Sequence, residues 1–293
     1  MPPDDRWRTP LPARLPAALT PFVRTLQGYG ATGMVPSVHR GLPGHTLTFV
    51  LALDDGLEVA PTTAAFAAGR LERHRAVLGG LHTEPAVIVQ PGRWSGLQVD
   101  VSPLGARRLF GVPAAALPTD HYDAAAVLGV DLDRLHDQLG GAAGWPERYA
   151  VVTRWLSGRL AASEPGRAPR AVVQAWRLLE RHGGAVEVGA LAEQVGLDRR
   201  RLARVFVAEL GVAPRTVGRL IRFQGARRDV GAAAAAPGPL DLSGVAARHG
   251  NYDHAHLVRD FRAFSGLSPT RWVAAERANV QAAPAGPAAG SAS

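Results

Sequence analysis

Three histidines and two aspartates fall within twelve residues near the end of the chain: His249, Asp253, His254, His256 and Asp260. Imidazole and carboxylate groups are the usual non-thiolate ligands of zinc, so metal binding is the first chemistry to weigh. Spacing argues against it. On a helix His254 and His256 stand about 200° apart, too far round to share an ion. The chain has no cysteine to complete a tetrahedral site. The same stretch, "HGNYDHAHLVRDFRAFSGLSPTRW", reads equally as a helix capped by Asp253 and stopped by Gly266 and Pro269.

A second copy of this pattern lies upstream. "LAEQVGLDRRRLARVFVAELGVAP" (191–214) aligns with "VAARHGNYDHAHLVRDFRAFSGLSP" (245–269). The matches are Ala192/Ala246, Gly196/Gly250, Asp198/Asp253, Leu202/Leu257, Arg204/Arg259, Phe206/Phe261, Gly211/Gly266 and Pro214/Pro269. Such self-similarity marks one structural unit used twice. Alanine lets two helices approach, glycine turns the chain, and Asp198 or Asp253 caps the second helix through its N–H groups. Leucine and phenylalanine four residues apart define the inner face. The unit is a helix-turn-helix.

With Leu202 inward at about 100° per residue, Arg200 and Arg204 point outward and Arg201 flanks them. In the second copy Arg259 points outward, His256 flanks it and His254 occupies the first turn. Side chains near the start of such a helix meet base edges, and arginine can bond guanine bidentately. The expected base contacts are therefore Arg200, Arg201, Arg204, His254, His256 and Arg259. Arg199, Arg215, Arg222, Arg262 and Arg271 are the expected phosphate contacts, with Arg219, Arg227 and Arg228 as further candidates. His249 closes a helix whose dipole suits a partial positive charge.

Charge distribution agrees. Formal net charge is +8, and all 33 basic residues are arginine. Residues 170–280 hold 17 arginines against 10 acidic residues, whereas residues 1–169 hold 16 against 15. A field concentrated in one segment suits a polyanion.

Punctuation divides the chain. Residues 1–20 form a flexible N-terminus, 21–163 an α+β sensor or dimerisation domain, and 164–170 a linker, marked by "SEPGRAP" at 163–169. Residues 171–280 form an all-α domain with two helix-turn-helix motifs joined by a linker helix over 214–230, and 281–293 a disordered tail. In the first half, 46–53, 85–90 and 96–101 read as strands, and 103–111, 131–139 and 146–161 as helices. "GAAAAAPGP" (231–239) reads as a second joint.

Residues 171–276 resemble the DNA-binding domain of AraC/XylS-type transcriptional regulators. The signature runs Ala246, Gly250, Asp253, Leu257, Arg259, Phe261, Gly266, Pro269 and Trp272, with the first copy and "RFQGAR" on the linker helix. The resemblance implies seven helices, the third and sixth of which enter the major groove. It also implies double-stranded DNA as partner, with RNA polymerase and a small-molecule effector as further partners, and a monomer or homodimer. Asn251 stands where the family usually has an aromatic, and Ala203 and Ala255 where larger readers are common. Stretches such as "MVPSVHRGLPGHTLTFVLALDDG" resemble an N-terminal sensory domain of some members.

Other chemistries find little support. DNA-repair methyl acceptors can carry a domain of this type but need reactive cysteines. No G-x-S-x-G, Walker A loop or dinucleotide fingerprint occurs. A cupin-like metal enzyme would use His82 and Glu84, two apart on an extended segment, while His39, His45 and His74 are scattered. An architectural DNA protein without effector would share the C-terminal half. It would differ in lacking an enclosed apolar cavity, for which Phe49, Phe66, Trp94 and Trp145 are the candidate lining. No cofactor or metal is expected. The first twenty residues lack a signal-peptide core and no run is long enough to span a bilayer, so the expected location is cytoplasmic, without catalytic activity.

Overall fold

A computed structural model describes residues 7–8, 10–163, 168–235, 240–250 and 254–282. The first part contains strands β1 (Trp7–Arg8), β2 (Val23–Thr32), β3 (Ser37–Gly41), β4 (Leu47–Ala52), β5 (Leu57–Ala60), β6 (Glu72–His74), β7 (Ala76–Gly79), β8 (Ala86–Gln90) and β9 (Arg93–Val101). They build two antiparallel sheets, ordered β1-β2-β9-β4-β7 and β3-β8-β5-β6. The expected strands over 46–53, 85–90 and 96–101 are β4, β8 and β9. β2 escapes a reading by alternation because two of its ten residues are glycine and a register shift interrupts it between Val23 and Thr25.

Alternation assigns the faces of the first sheet. Leu47, Phe49 and Leu51 of β4 and Leu97, Val99 and Val101 of β9 are fully buried. They pack beneath helices α2 (Ala106–Phe110), α4 (Val130–Gly140) and α5 (Trp145–Ala162). Phe49 meets Phe110 edge-on with ring centroids 5.8 Å apart and Trp155 at 5.7 Å, burial worth about 1.5–3 kcal/mol for such a side chain. The opposite face carries a cross-strand row, Thr25, Asp100 and Thr48. There Thr25 Oγ1 donates to Asp100 Oδ2 at 2.6 Å and Gln98 Nε2 to Oδ1 at 2.9 Å. Short helices α1 (Thr63–Ala67) and α3 (Ala125–Leu128) complete this region.

The four aromatics considered as a cavity lining are dispersed. Phe49 lies under the helices, and Phe66 packs on Ala60, Ala65 and Val87. Trp94 of β9 pairs with Ala31 of β2, and Trp145 presses on Gly28. The start of the chain also differs from expectation. Ala13 N–H donates to the Leu26 carbonyl at 2.9 Å and Leu19 is fully buried. Burial of Leu19 in the main apolar core draws this segment into the domain before residue 21.

Seven helices follow among the described residues: α6 (Arg170–Arg181), α7 (Val188–Gln194), α8 (Arg199–Leu210), α9 (Pro214–Ala235), α10 (Leu242–Arg248), α11 (His254–Ser265) and α12 (Pro269–Ala282). α9 runs 22 residues, past the expected end at 230. The alanines of 232–235, read as a joint, are the best helix formers and simply propagate it. α12 likewise reaches Ala282, and the rest of the expected tail lies outside the described residues.

Cores do not follow the punctuation. One contiguous core runs from the first sheet through α2, α4 and α5 into α6, α7, α8 and Val217. A second joins Leu220, Phe223, Ala226 and Val230 of α9 to α10, α11 and α12, with Leu42 of the N-terminal region packed against it. The stretch expected as a linker therefore separates two segments of sequence whose side chains share one interior. Polar contacts reinforce the junction. Arg24 pairs with Glu180 of α6, His45 Nε2 stands 3.9 Å from the same carboxylate, and His45 N–H donates to Gln224 Oε1 at 3.3 Å. A close backbone approach between Gly184 (φ +78°) and Gly218 seats α9 on the turn after α6.

Burial pushes the His45 imidazole below its ordinary value of 6.5, against the opposing pull of Glu180. Below about pH 6.5 the unfolded chain therefore takes up a proton that the folded chain resists, and stability falls with acidification. Denaturation curves at about pH 8, 6.5 and 5.5 should show this decline, and a shallower one in His45→Gln; an unchanged slope would contradict the assignment.

Candidate nucleic-acid interface

α7 and α8 form the first motif. Gly196, at φ +71°, makes the turn between them, and the Asp198 carboxylate caps α8 by accepting from Arg201 N–H at 2.8 Å. Leu202, Phe206, Glu209 and Leu210 form the buried face. Arg199, Arg200, Arg201 and Arg204 are exposed, bringing four guanidinium groups onto the first two turns. The Arg199 guanidinium lies across Gly189 of α7, at the motif's edge.

α10 and α11 repeat the arrangement. Asp241 caps α10 by accepting from Gly244 N–H at 2.8 Å, and Gly250, at φ +63°, begins the turn. The expected cap Asp253, with Asn251, lies outside the described residues. Leu257, Asp260, Phe261, Phe264 and Ser265 face inward. Arg259 and Arg262 are exposed and His256 is half-buried beside them. His254 opens the helix and is exposed, but stands about 140° round the axis from Arg259. It does not join the same stripe. Arg215 and Arg271, each just inside a helix that begins with proline, are exposed.

Two expected phosphate ligands on the linker helix are turned inward. Arg222 Nη1 donates to the Gly184 carbonyl in the α6–α7 turn. A carbonyl in a glycine turn lacks a helical partner, and the guanidinium supplies one. Arg219 donates from Nε at 3.1 Å and Nη2 at 2.8 Å to Asp260 Oδ1, and its guanidinium lies 4.7 Å from the Phe264 ring centroid. Half-buried and committed to their own protein, these side chains act in the fold.

The apparent metal cluster dissolves in the same way. His249 closes α10, with Nε2 3.0 Å from Asp229 Oδ2, an oxygen that also accepts from Arg248 at 3.0 Å. Although partial burial raises the Asp229 carboxyl, these two partners outweigh it and hold the group below its usual value. Asp260 is taken by Arg219. Among the described residues no three histidine or acidic side chains stand together as a metal site. His82 faces the Tyr122 ring at 5.9 Å, with Nδ1 3.2 Å from the Gly80 carbonyl.

Buried carboxylates on both second helices escaped the reading of the sequence. Glu209 is 3% exposed and Asp260 8%. Glu209 accepts a fork from Arg107 of α2, Nε to Oε1 at 2.7 Å and to Oε2 at 3.0 Å, and Nη2 to Oε2 at 2.8 Å. The signal was present, since seven residues from Leu202 place Glu209 within about 20° of the inward direction. A carboxylate there needs a cationic partner, and sequence cannot say that it comes from 102 residues away.

Residues 191–275 match the family model described as a helix-turn-helix domain. The C-terminal half carries an AraC-type helix-turn-helix domain. No curated protein matches the chain. Solved structures with detectable likeness include ToxT of Vibrio cholerae, at 10% identity over 85% of this chain and 96% of that one, with a TM-score of 0.47. ToxT bound to (E)-4-(8-methylnaphthalen-1-yl)but-3-enoic acid aligns at 9% identity over 92% and 98%, with a TM-score of 0.48. The AraC-like activator CuxR aligns at 12% over 68% and 79%, with a TM-score of 0.22. Scores below one half mark distant likeness. Among the described residues no helix is long and apolar enough to cross a membrane.

The Asp198 cap should be worth about 1 kcal/mol. Asp198→Ala is expected to lower stability by that amount and Asp198→Asn by much less, measured by chemical denaturation. Equal stability of all three proteins would show that the cap contributes nothing.

Proposed function

We propose that this protein is a sequence-specific, DNA-binding transcriptional regulator of AraC type, in which α8 and α11 enter successive major-groove segments on one face of a duplex. The observation that carries the reading is the pair of matching helices, each apolar inward save for one paired carboxylate and cationic outward, joined by α9. At 22 residues that helix spans about 33 Å, close to the roughly 34 Å between successive major-groove faces. Arg200, Arg201 and Arg204 read bases in one half of the site, and Arg259 with His256 in the other. Arg199, Arg215, Arg262 and Arg271 hold phosphates. His254, turned away from Arg259, is not counted among the base contacts, nor is Arg222 among the phosphate contacts.

In this reading the N-terminal domain senses an effector or mediates dimerisation, and RNA polymerase is a further partner on the promoter. The dispersal of Phe49, Phe66, Trp94 and Trp145 through packed regions favours, as a second reading, an architectural DNA protein. Both readings share the DNA-binding half.

The test uses the full chain, because α6, α7 and α8 share their core with the N-terminal domain. Bound sequences are selected from a random DNA pool, and base-substituted versions are titrated by gel shift. Arg204→Ala and Arg259→Ala should each lose about 10- to 100-fold discrimination, at different halves of the site. Arg215→Ala should weaken binding evenly and lower the salt slope by about 1. Uniform loss in all three variants would overturn the assigned roles.

A further inference from the structure

Each recognition helix is held from behind by one arginine on one buried carboxylate, but the two arginines come from different places. Asp260 of α11 is held by Arg219 of α9, inside the DNA-binding half. Glu209 of α8 is held by Arg107 of α2, in the N-terminal domain. The ends of the helices differ in the same sense. Gly211, after α8, lies against Ala115, whose Cα stands 3.4 Å from where a side chain would begin, whereas Gly266, after α11, has nothing within 4 Å. The N-terminal domain therefore grips the last turn of α8 at two points. It meets the second core through Leu42 and α9, and the fork on α11 is supplied by α9.

We infer that Arg107 is a positioning residue for DNA reading by α8, so that the N-terminal domain sets the alignment of the first recognition helix while the second is aligned by α9. This rests on the DNA-reading function proposed above. The three-bond fork fixes rotation of α8 about its axis. Side chains reach about 5–6 Å from a helix axis, so a rotation of about 20° moves their tips by about 2 Å. That displacement breaks a bidentate contact, whose donor–acceptor distances must lie within about 2.7–3.2 Å. An aligned Arg204 thus depends on a bond made on the far side of its own helix, by a residue with no place at the DNA.

The experiment compares affinities of the full chain for the selected operator and for versions scrambled in the half read by Arg204 or in the half read by Arg259. Arg107→Ala should lose about tenfold discrimination at the first half and none at the second. Exchanging the partners, Arg107→Glu with Glu209→Arg, should restore it. Should Arg107→Ala not fold, the neutral pair Arg107→Gln with Glu209→Gln removes the buried charge and is read in the same way. Wild-type discrimination at both halves, or equal loss at both, overturns the inference. A wild-type chain that selects no sequence at all overturns the DNA-reading function itself, which separates the two failures.

Discussion

A guanidinium can discriminate between bases only if the helix beneath it is held still, and in this protein that holding is done by carboxylates buried on the reverse of the cationic helices. Glu209 and Asp260 are each nearly removed from solvent and each receives two or more hydrogen bonds from one arginine. A buried carboxylate deprived of its partner costs about 3–5 kcal/mol, so the fork, once formed, strongly resists rotation or withdrawal of the helix. Around it the apolar contacts are less directional. Phe206 and Leu202 set depth, while the ion pair sets angle. The outward arginines are then left to whatever partner the surface meets.

The same economy of glycine and arginine fits the linker helix between the two motifs. Gly218 allows the backbone of α9 to touch Gly184, and Gly225 leaves room for the His249 ring at the end of α10. Side chains at either place would push the motifs apart. Arg222 and Arg219, from the intervening turns, bond to the two neighbours that α9 must hold, the α6–α7 turn and α11. Asp229 ties the helix to the end of α10 through Arg248 and His249. α9 is thus a strut held in place through Arg219, Arg222 and Asp229.

Legibility in the sequence follows from how local each determinant is. The two motifs were readable because every feature that makes them is short-range: a cap three residues from its donor, a turn glycine, a leucine and phenylalanine one turn apart. Their repetition guarded against chance. The strands β4 and β8 were readable as dense apolar runs and β9 by its partial alternation, whereas β2, β3, β5, β6 and β7 are short or interrupted by glycine and depend on neighbours for their identity. Whether an arginine faces solvent or its own protein was not readable. Arg222 and Arg204 look alike along the chain, and only the carbonyl of Gly184 distinguishes them. The stretch between Ser163 and Arg170 looked like a boundary because proline and glycine end helices; they say nothing about where side chains from either side meet, and here they meet in one core.

The proposed function offers two helices to one face of a duplex at a fixed separation. The most direct measurement is a methylation-interference footprint of the full chain on an operator it has itself selected. Two clusters of major-groove interference, centred about 10 base pairs apart on the same face, are the result expected. A single cluster, or two on opposite faces, would contradict it.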